Sequence, residues 1–313
     1  MLQAARVSER VRNWLHDRAE GTVHSLFRRV CNLDWGDWVV SLHTAATGRL
    51  PGGIEVEGHA DFSRLDLRPG QPAIWKPDEE CLNVGSQVLS LRGASQWAGT
   101  AAPMAGLPAP SLLEARLQLL LRLLGTHGRG PLGAQATGAT ANDGGIIQEA
   151  AARAVWARGM RLYNSLLNGD ETAIGPGVAA LLGLGEGLTP SGDDLILGMM
   201  AALSHARLAL APSVAACVQR LNECVDDLAP QATTRISSNY LRLGCLGEFS
   251  ERLGDATQAL LGETAGSDEV GPLIARLLES GHSSGTDSAT GLYLGVTLLM
   301  AQQRSVSDRG SMQ

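Results

Sequence analysis

The chain has 313 residues, 44% of them hydrophobic and 18% charged, a balance typical of folded globular proteins that excludes extended disorder. Lysine and arginine number 25 against 32 acidic residues, a formal net charge of −7, and no basic stripe interleaved with aromatics occurs, so nucleic-acid binding is not indicated. Thirty-eight glycines beside three phenylalanines point to close backbone approaches and Ala/Leu-rich helix packing rather than an aromatic core.

The first residues, "MLQAARVSERVRNWLHDRAEG", carry charges throughout and lack the apolar core of a signal peptide, so a cytoplasmic location is expected. Arg28 and Arg29 read as part of a solvated helix face. From about Trp35 to Trp75, the runs "DWVVSLHT", "GGIEVEG" and "PAIWKP" alternate with Gly and Pro turns, the pattern of strands in a small sheet. Residues 85 to 110, rich in Gly, Ser, Ala and Pro, read as a connection between domains. "SLLEARLQLLLRLLG" then opens with a Ser-x-x-Glu capping box at Ser111 and stops at Gly125. Its apolar run from Leu117 to Leu124 is too short to span a bilayer.

"TGATANDGG" breaks the chain, its Asn-Asp-Gly-Gly an ordinary turn within Thr140 to Gly145. Helical patterns follow near 146–167, 191–209, 213–228, 234–247, 250–261, 270–280 and 286–302. The expected fold class is α+β: a small N-terminal β-rich part over residues 1–110, then a larger, mostly helical C-terminal domain over 111–313. Cys31, Cys81, Cys217, Cys224 and Cys245 are widely spaced and make no CxxC pair, so neither a zinc site nor a disulfide framework is indicated. Cys217 and Cys224 share a helical segment and read as apolar fillers.

Two segments of the helical part share one pattern. Ser191-Gly192-Asp193-Asp194 followed by Gly198, and Ser284-Gly285-Thr286-Asp287 followed by Gly291, both obey S-G-x-D-x-x-x-G and both run on into apolar helix. Local chemistry accounts for part of this. A serine at the N-cap accepts a hydrogen bond from a first-turn N–H, and an aspartate nearby complements the helix dipole. A glycine four residues on, on the same face, permits a close helix crossing. Capping does not require the residues just before, which are Gly183, Gly185, Gly187 and Thr189 in one case and His282 and Ser283 in the other. Flexible, hydroxyl-rich backbone at a helix start suits a carboxylate, phosphate or carbonyl-bearing ligand. A third cluster, "QATTRISSNY", sets Thr233, Thr234, Ser237 and Ser238 about a helical first turn, with Arg235 as a cation for an anionic ligand. The alternative there is a Thr233 cap and an Arg235 surface charge.

Several chemistries do not fit. The glycines at 183–187 follow a helical segment rather than a strand and so are not a dinucleotide fingerprint, and no Walker lysine precedes a Ser/Thr. A triad of Ser191, His282 and Asp287 lacks a nucleophile elbow. Asp193 and Asp194 would suit Mg²⁺ beside substrate phosphate oxygens, although the sequence itself shows no metal. His282 has the chemistry of a general acid or base, or of a hydrogen-bonding ligand contact.

At these motifs, "LGLGEGLTPSGDDLILGMMAAL", "ATTRISSNYLRLGCLGEFSE" and "GHSSGTDSATGLYLG", the chain resembles the AllH/YlbF-type family, subunits of oxamate carbamoyltransferase. The resemblance covers roughly residues 110 to 302, and Glu186 departs from the proline usual at its position. It implies a role in allantoin-type purine nitrogen catabolism, interconverting oxalurate and phosphate with oxamate and carbamoyl phosphate. It also implies partner subunits of the FdrA/AllF and AllG types. Asp193, Asp194 and His282 are then the candidate catalytic residues. Gly185, Gly187, Thr189, Ser191, Gly192, Thr233, Thr234, Arg235, Ser237, Ser283, Ser284, Gly285 and Asp287 are the candidate ligand contacts. The other readings are a non-catalytic subunit that completes a partner's site and a stand-alone ureido-acid hydrolase.

Overall fold

The structure, a computed structural model, describes residues 1–58, 61–100, 103–104, 106–138, 146–263 and 267–310. The turn expected at Thr140 to Gly145 lies outside them. The chain divides into two compact units, residues 1–100 with 248–251, and residues 101–247 with 252–313.

The first unit is a β-barrel. Its elements are β1 (Leu2–Ser8), α1 (Glu9–Asp17), β2 (Glu20–Leu26), β3 (Val30–Trp35), β4 (Trp38–Thr44), β5 (Gly53–Val56), β6 (Pro72–Lys76), β7 (Cys81–Val84), β8 (Gln87–Ser90) and β9 (Ser95–Trp97). The strands run in the order β5-β4-β3-β2-β6-β7-β8-β1-β9, and β5 also pairs with β1, Ala4 opposite Val56, which closes the ring. Closure leaves no long open edge to template a second chain. Leu33, Val40, Leu42, Ile54, Leu82 and Leu89 fill the core. Gly21 is required by close packing, because a Cβ there would lie 2.3 Å from the Trp35 ring. Residues 248–251 belong to this unit through ion pairs of Glu248 with Arg10 and of Glu251 with Arg49, the latter at 3.2 Å.

The β-rich region is thus wider than the 35–75 window of clear alternation. β8 and β9 fall inside residues read as a connection, because strands of four and three residues carry little local signal and gain their stability from distant partners. Arg28 and Arg29 sit in the turn between β2 and β3, not on a helix, and Arg28 lies 3.7 Å from Asp61. α1 was not legible as a helix; it buries Val11, Trp14 and Leu15, with Trp14 stacked on Trp38 at 4.8 Å.

The second unit is helical: α2 (Pro110–His127), α3 (Leu132–Thr137), α4 (Ile146–Asn168), α5 (Glu171–Leu181), α6 (Ser191–His205), α7 (Pro212–Ala232), α8 (Arg235–Cys245), α9 (Glu251–Leu261), α10 (Ser267–Leu278) and α11 (Ser284–Gly310). α2 begins one residue before Ser111, with Ala109 at the cap and no side-chain cap bond, and continues past Gly125. Pro110 at the first helical position supplies the start that the capping box was expected to give. Cys217 and Cys224 are buried on α7, as expected of fillers.

α6 and α11 form the centre. Leu195, Ile196, Met199 and Leu203 on α6, and Leu292, Val296 and Leu299 on α11, are all buried. Each such side chain stabilises the fold by roughly 1.5–3 kcal/mol relative to exposure. The two helices touch backbone to backbone. A Cβ on Gly198 would lie 1.9 Å from the Ser288 carbonyl oxygen, and one on Gly291 would lie 2.0 Å from that of Leu195. The glycine four residues after each motif aspartate therefore serves the close crossing read from the sequence. Among the described residues, no helix is long and apolar enough to cross a membrane.

Candidate functional site

The loop from α5 to α6 brings its glycines into the left-handed region, with φ of 71° at Gly183, 127° at Gly185 and 88° at Gly187. A Cβ on Gly183 would lie 2.3 Å from the Ala232 carbonyl oxygen, and one on Gly185 would lie 2.6 Å from the Ser191 nitrogen. These two thus have a backbone reason, whereas Gly187 faces open space. The loop also lowers Thr189 onto the start of α11, its hydroxyl 2.7 Å from that of Ser284.

Ser191 is the first residue of α6 rather than its cap. Pro190 occupies the cap position and makes no side-chain cap bond. The motif hydroxyls are accordingly free to work across the crossing instead of along their own helices. The Ser191 hydroxyl stands beside the carboxyl of Asp287 on α11, and it and the Ser283 hydroxyl draw that carboxyl's pKa down. In return the Ser284 hydroxyl, with that of Thr189, stands beside the carboxyl of Asp194 on α6 and draws its pKa down. Each S-G-x-D segment therefore serves the aspartate of the other.

Asp194 and Asp287 are 5% and 1% exposed, and each keeps one oxygen, Oδ2, buried without a hydrogen-bond partner. Burial raises the Asp194 carboxyl well above the usual carboxylate range, and the neighbouring charge of Asp287 adds to this. Burial likewise pushes Asp287 up to about 7, against the pull of its two serine hydroxyls. Neither faces an arginine or lysine among the described residues. Two adjacent carboxyls in this setting share protons at neutral pH rather than both ionising.

Asp193 is buried too, but fully engaged. Its carboxylate accepts from the Gly183 N–H at 2.8 Å, from the Ser237 hydroxyl at 2.6 Å, and from the Thr233 hydroxyl. Burial raises this carboxyl, and the hydrogen bonds oppose the rise. Thr234, not Thr233, caps α8 by accepting the Ser237 N–H at 3.1 Å, and its hydroxyl donates to the Leu188 carbonyl oxygen. The starts of α6 and α8 and the glycine loop are thereby knotted through Asp193.

The remaining candidates are placed as follows. His282 is exposed, and Arg235 is half-buried in the first turn of α8. Gly192 and Gly285 pack on preceding helix ends, where a Cβ would lie 2.2 Å from the Leu181 carbonyl oxygen and 2.0 Å from that of Leu277. Of the Asp193–Asp194 pair expected for Mg²⁺, Asp193 accepts from three protein donors. Among the described residues, no group of three or more His, Cys, Asp and Glu gathers. An open depression of about 420 Å³ lined by Arg18, Glu20, Thr22, Asp34 and Asp37 lies in the barrel unit and holds none of the candidates. Sequence reasoning placed Asp287 among the ligand contacts and missed its pairing with Asp194; the repeated motif was the available signal.

A family model described as oxamate carbamoyltransferase subunit AllH matches residues 181–296, the stretch from the end of α5 into α11. A second, described as the AllH family N-terminal domain, matches residues 3–96, the barrel. No solved structure matches the chain. With both of its units matched, the chain belongs to the AllH family of oxamate carbamoyltransferase subunits.

Proposed function

We propose that this chain is the component of an oxamate-type carbamoyltransferase that holds a small carbamoyl or ureido ligand where the starts of α6 and α11 cross. The observation that carries the reading is the convergence of both motifs on one cluster, Thr189, Ser191, Asp194, Ser283, Ser284 and Asp287. Pure capping would have kept each motif within its own helix. Four hydroxyls at the starts of two helices, beside the positive ends of the helix dipoles, suit the oxyanions and carbonyl oxygens of oxalurate, oxamate and carbamoyl phosphate. His282, exposed beside Ser283, meets a ligand from the solvent side.

The reaction proposed is phosphorolysis of oxalurate in allantoin-type nitrogen catabolism. A phosphate oxygen adds to the carbamoyl carbon, the C–N bond of the resulting tetrahedral intermediate breaks, and the departing oxamate nitrogen takes up the proton that phosphate gives up. Catalysis is chiefly positioning and stabilisation of the oxyanion by donors already in place. Partners of the FdrA/AllF and AllG types complete the enzyme, in the cytoplasm.

The test is reconstitution. Carbamoyl phosphate should form from oxalurate and phosphate only when this chain is mixed with those partners, and Asp194→Asn should lower the rate at least tenfold while the complex still assembles. Full activity without this chain, or turnover of oxalurate by the chain alone, would sink the reading. Full activity of Asp194→Asn in the assembled complex would leave the chain a scaffold and refute the site.

A further inference from the structure

The α5–α6 and α10–α11 hairpins share backbone hydrogen bonds at both ends of their loops. The Leu184 N–H donates to the Leu181 carbonyl at 3.0 Å, and the Ser280 N–H to the Leu277 carbonyl at 2.9 Å. The Gly192 N–H donates to the Leu184 carbonyl at 2.8 Å, and the Gly285 N–H to the Ser280 carbonyl at 3.0 Å. Gly198 packs on Ser288 just as Gly291 packs on Leu195. The flanking helices follow suit. Asp193 meets Thr233 just after α7, and the equivalent Thr286 accepts the Arg129 N–H at 2.7 Å just after α2. The backbone contacts match when the two motifs are exchanged, while the side-chain contacts differ, Asp194 having Thr189 nearby where Asp287 has Ser283.

The two unpartnered oxygens are one from each half. Both belong to side chains more than nine-tenths buried. Such atoms cost about 1–3 kcal/mol each when left without a donor. A single ligand group that satisfies both, with the pair's proton on another carboxyl oxygen, presents two donors. A primary amide does so, because its two N–H bonds are related by the C–N bond and neither can be left unmade in a dry site without loss. A cation is the poorer match at this position, since two helix N-termini point their positive ends at it. The hydroxyl-bearing residues Thr189, Ser191, Ser283 and Ser284 beside the pair are themselves half-buried.

We propose that Asp194 and Asp287 together receive the terminal NH₂ of a carbamoyl or oxamate ligand, one N–H donated to each Oδ2. This deepens the proposed function and rests on it. A proton held by the pair moves to an inner carboxyl oxygen, where a serine hydroxyl accepts it. The site then reads the nitrogen end of the ligand, and the surrounding hydroxyls of Thr189, Ser191, Ser283 and Ser284 meet its oxygens.

Calorimetric titration of the full chain with oxamate and with N,N-dimethyloxamate tests this. Oxamate should bind, the dimethyl compound should bind at least tenfold more weakly, and Asp287→Asn should weaken oxamate at least tenfold while leaving the residual affinity for the dimethyl compound unchanged. Equal affinity of the wild-type chain for both compounds overturns the NH₂ assignment and leaves the carbamoyl reading standing. So does an Asp287→Asn chain that melts as a folded protein and binds oxamate as tightly as wild type. Absence of any oxamate binding overturns both. Where the variant fails to fold, the comparison of the two ligands on the wild-type chain decides alone.

Discussion

Asp193 and Asp194 are neighbours in the sequence and differ in what surrounds them. Asp193 has three protein donors, whereas Asp194 shares its surroundings with a second buried carboxyl and keeps an oxygen unpaired. The sequence made both stand out as carboxylates beside a glycine loop, but local spacing cannot show that Thr233 and Ser237 fold back onto one of them. Asp193→Ala should therefore cost about 3 kcal/mol of stability by urea unfolding, the scale of losing hydrogen bonds to a buried charged group. Asp194 and Asp287 predict a pH dependence instead. Both carboxyls are raised above their unfolded values, so the folded chain binds protons that the unfolded chain releases. The Asp287 contribution is complete at pH below about 4 and is lost as pH rises through about 7, and the Asp194 contribution is likewise lost as pH rises. Urea unfolding in buffers across that window should show stability falling with pH, and Asp287→Asn should flatten the fall. An unchanged slope in that variant would contradict the shared-proton description.

Among the elements, α6 and α11 are both found close to where apolar periodicity put them, and the glycine after each motif was read correctly as a crossing point. The helix starts were read less well. Serine at a helix start is ordinarily a cap, yet Ser191 sits one residue inside α6 and sends its hydroxyl to another helix. That displacement turns two local motifs into one site, and it depends on a partner more than ninety residues away in the chain. The glycines can be ranked by what a methyl group would meet. Gly198→Ala sets a carbon 1.9 Å from the Ser288 carbonyl oxygen, so it should separate the helices and cost about 3 kcal/mol or more. Gly187→Ala meets nothing within 4 Å and bears only its left-handed φ, a cost of about 1 kcal/mol. Thermal unfolding of the two variants checks the order; a Gly187 variant as damaged as the Gly198 variant would count against it.

At the scale of the whole chain, a β-rich beginning and a larger helical remainder were legible from texture alone, since β-branched runs give way to long 3.6-residue periodicity. Barrel closure was not, because it depends on β5 returning to β1 and on strands too short to announce themselves. Nor did anything local reveal that residues 248–251, which run from after α8 to the first residue of α9, belong to the barrel unit. The account rests above all on the claim that the crossed starts of α6 and α11 are where the ligand sits. Diffraction from crystals of the chain soaked with oxamate tests this most directly. The account predicts density for the ligand at that crossing, its nitrogen within hydrogen-bonding distance of both Asp194 and Asp287; oxamate bound in the barrel unit, or elsewhere on the helical unit with the two aspartates untouched, would contradict it.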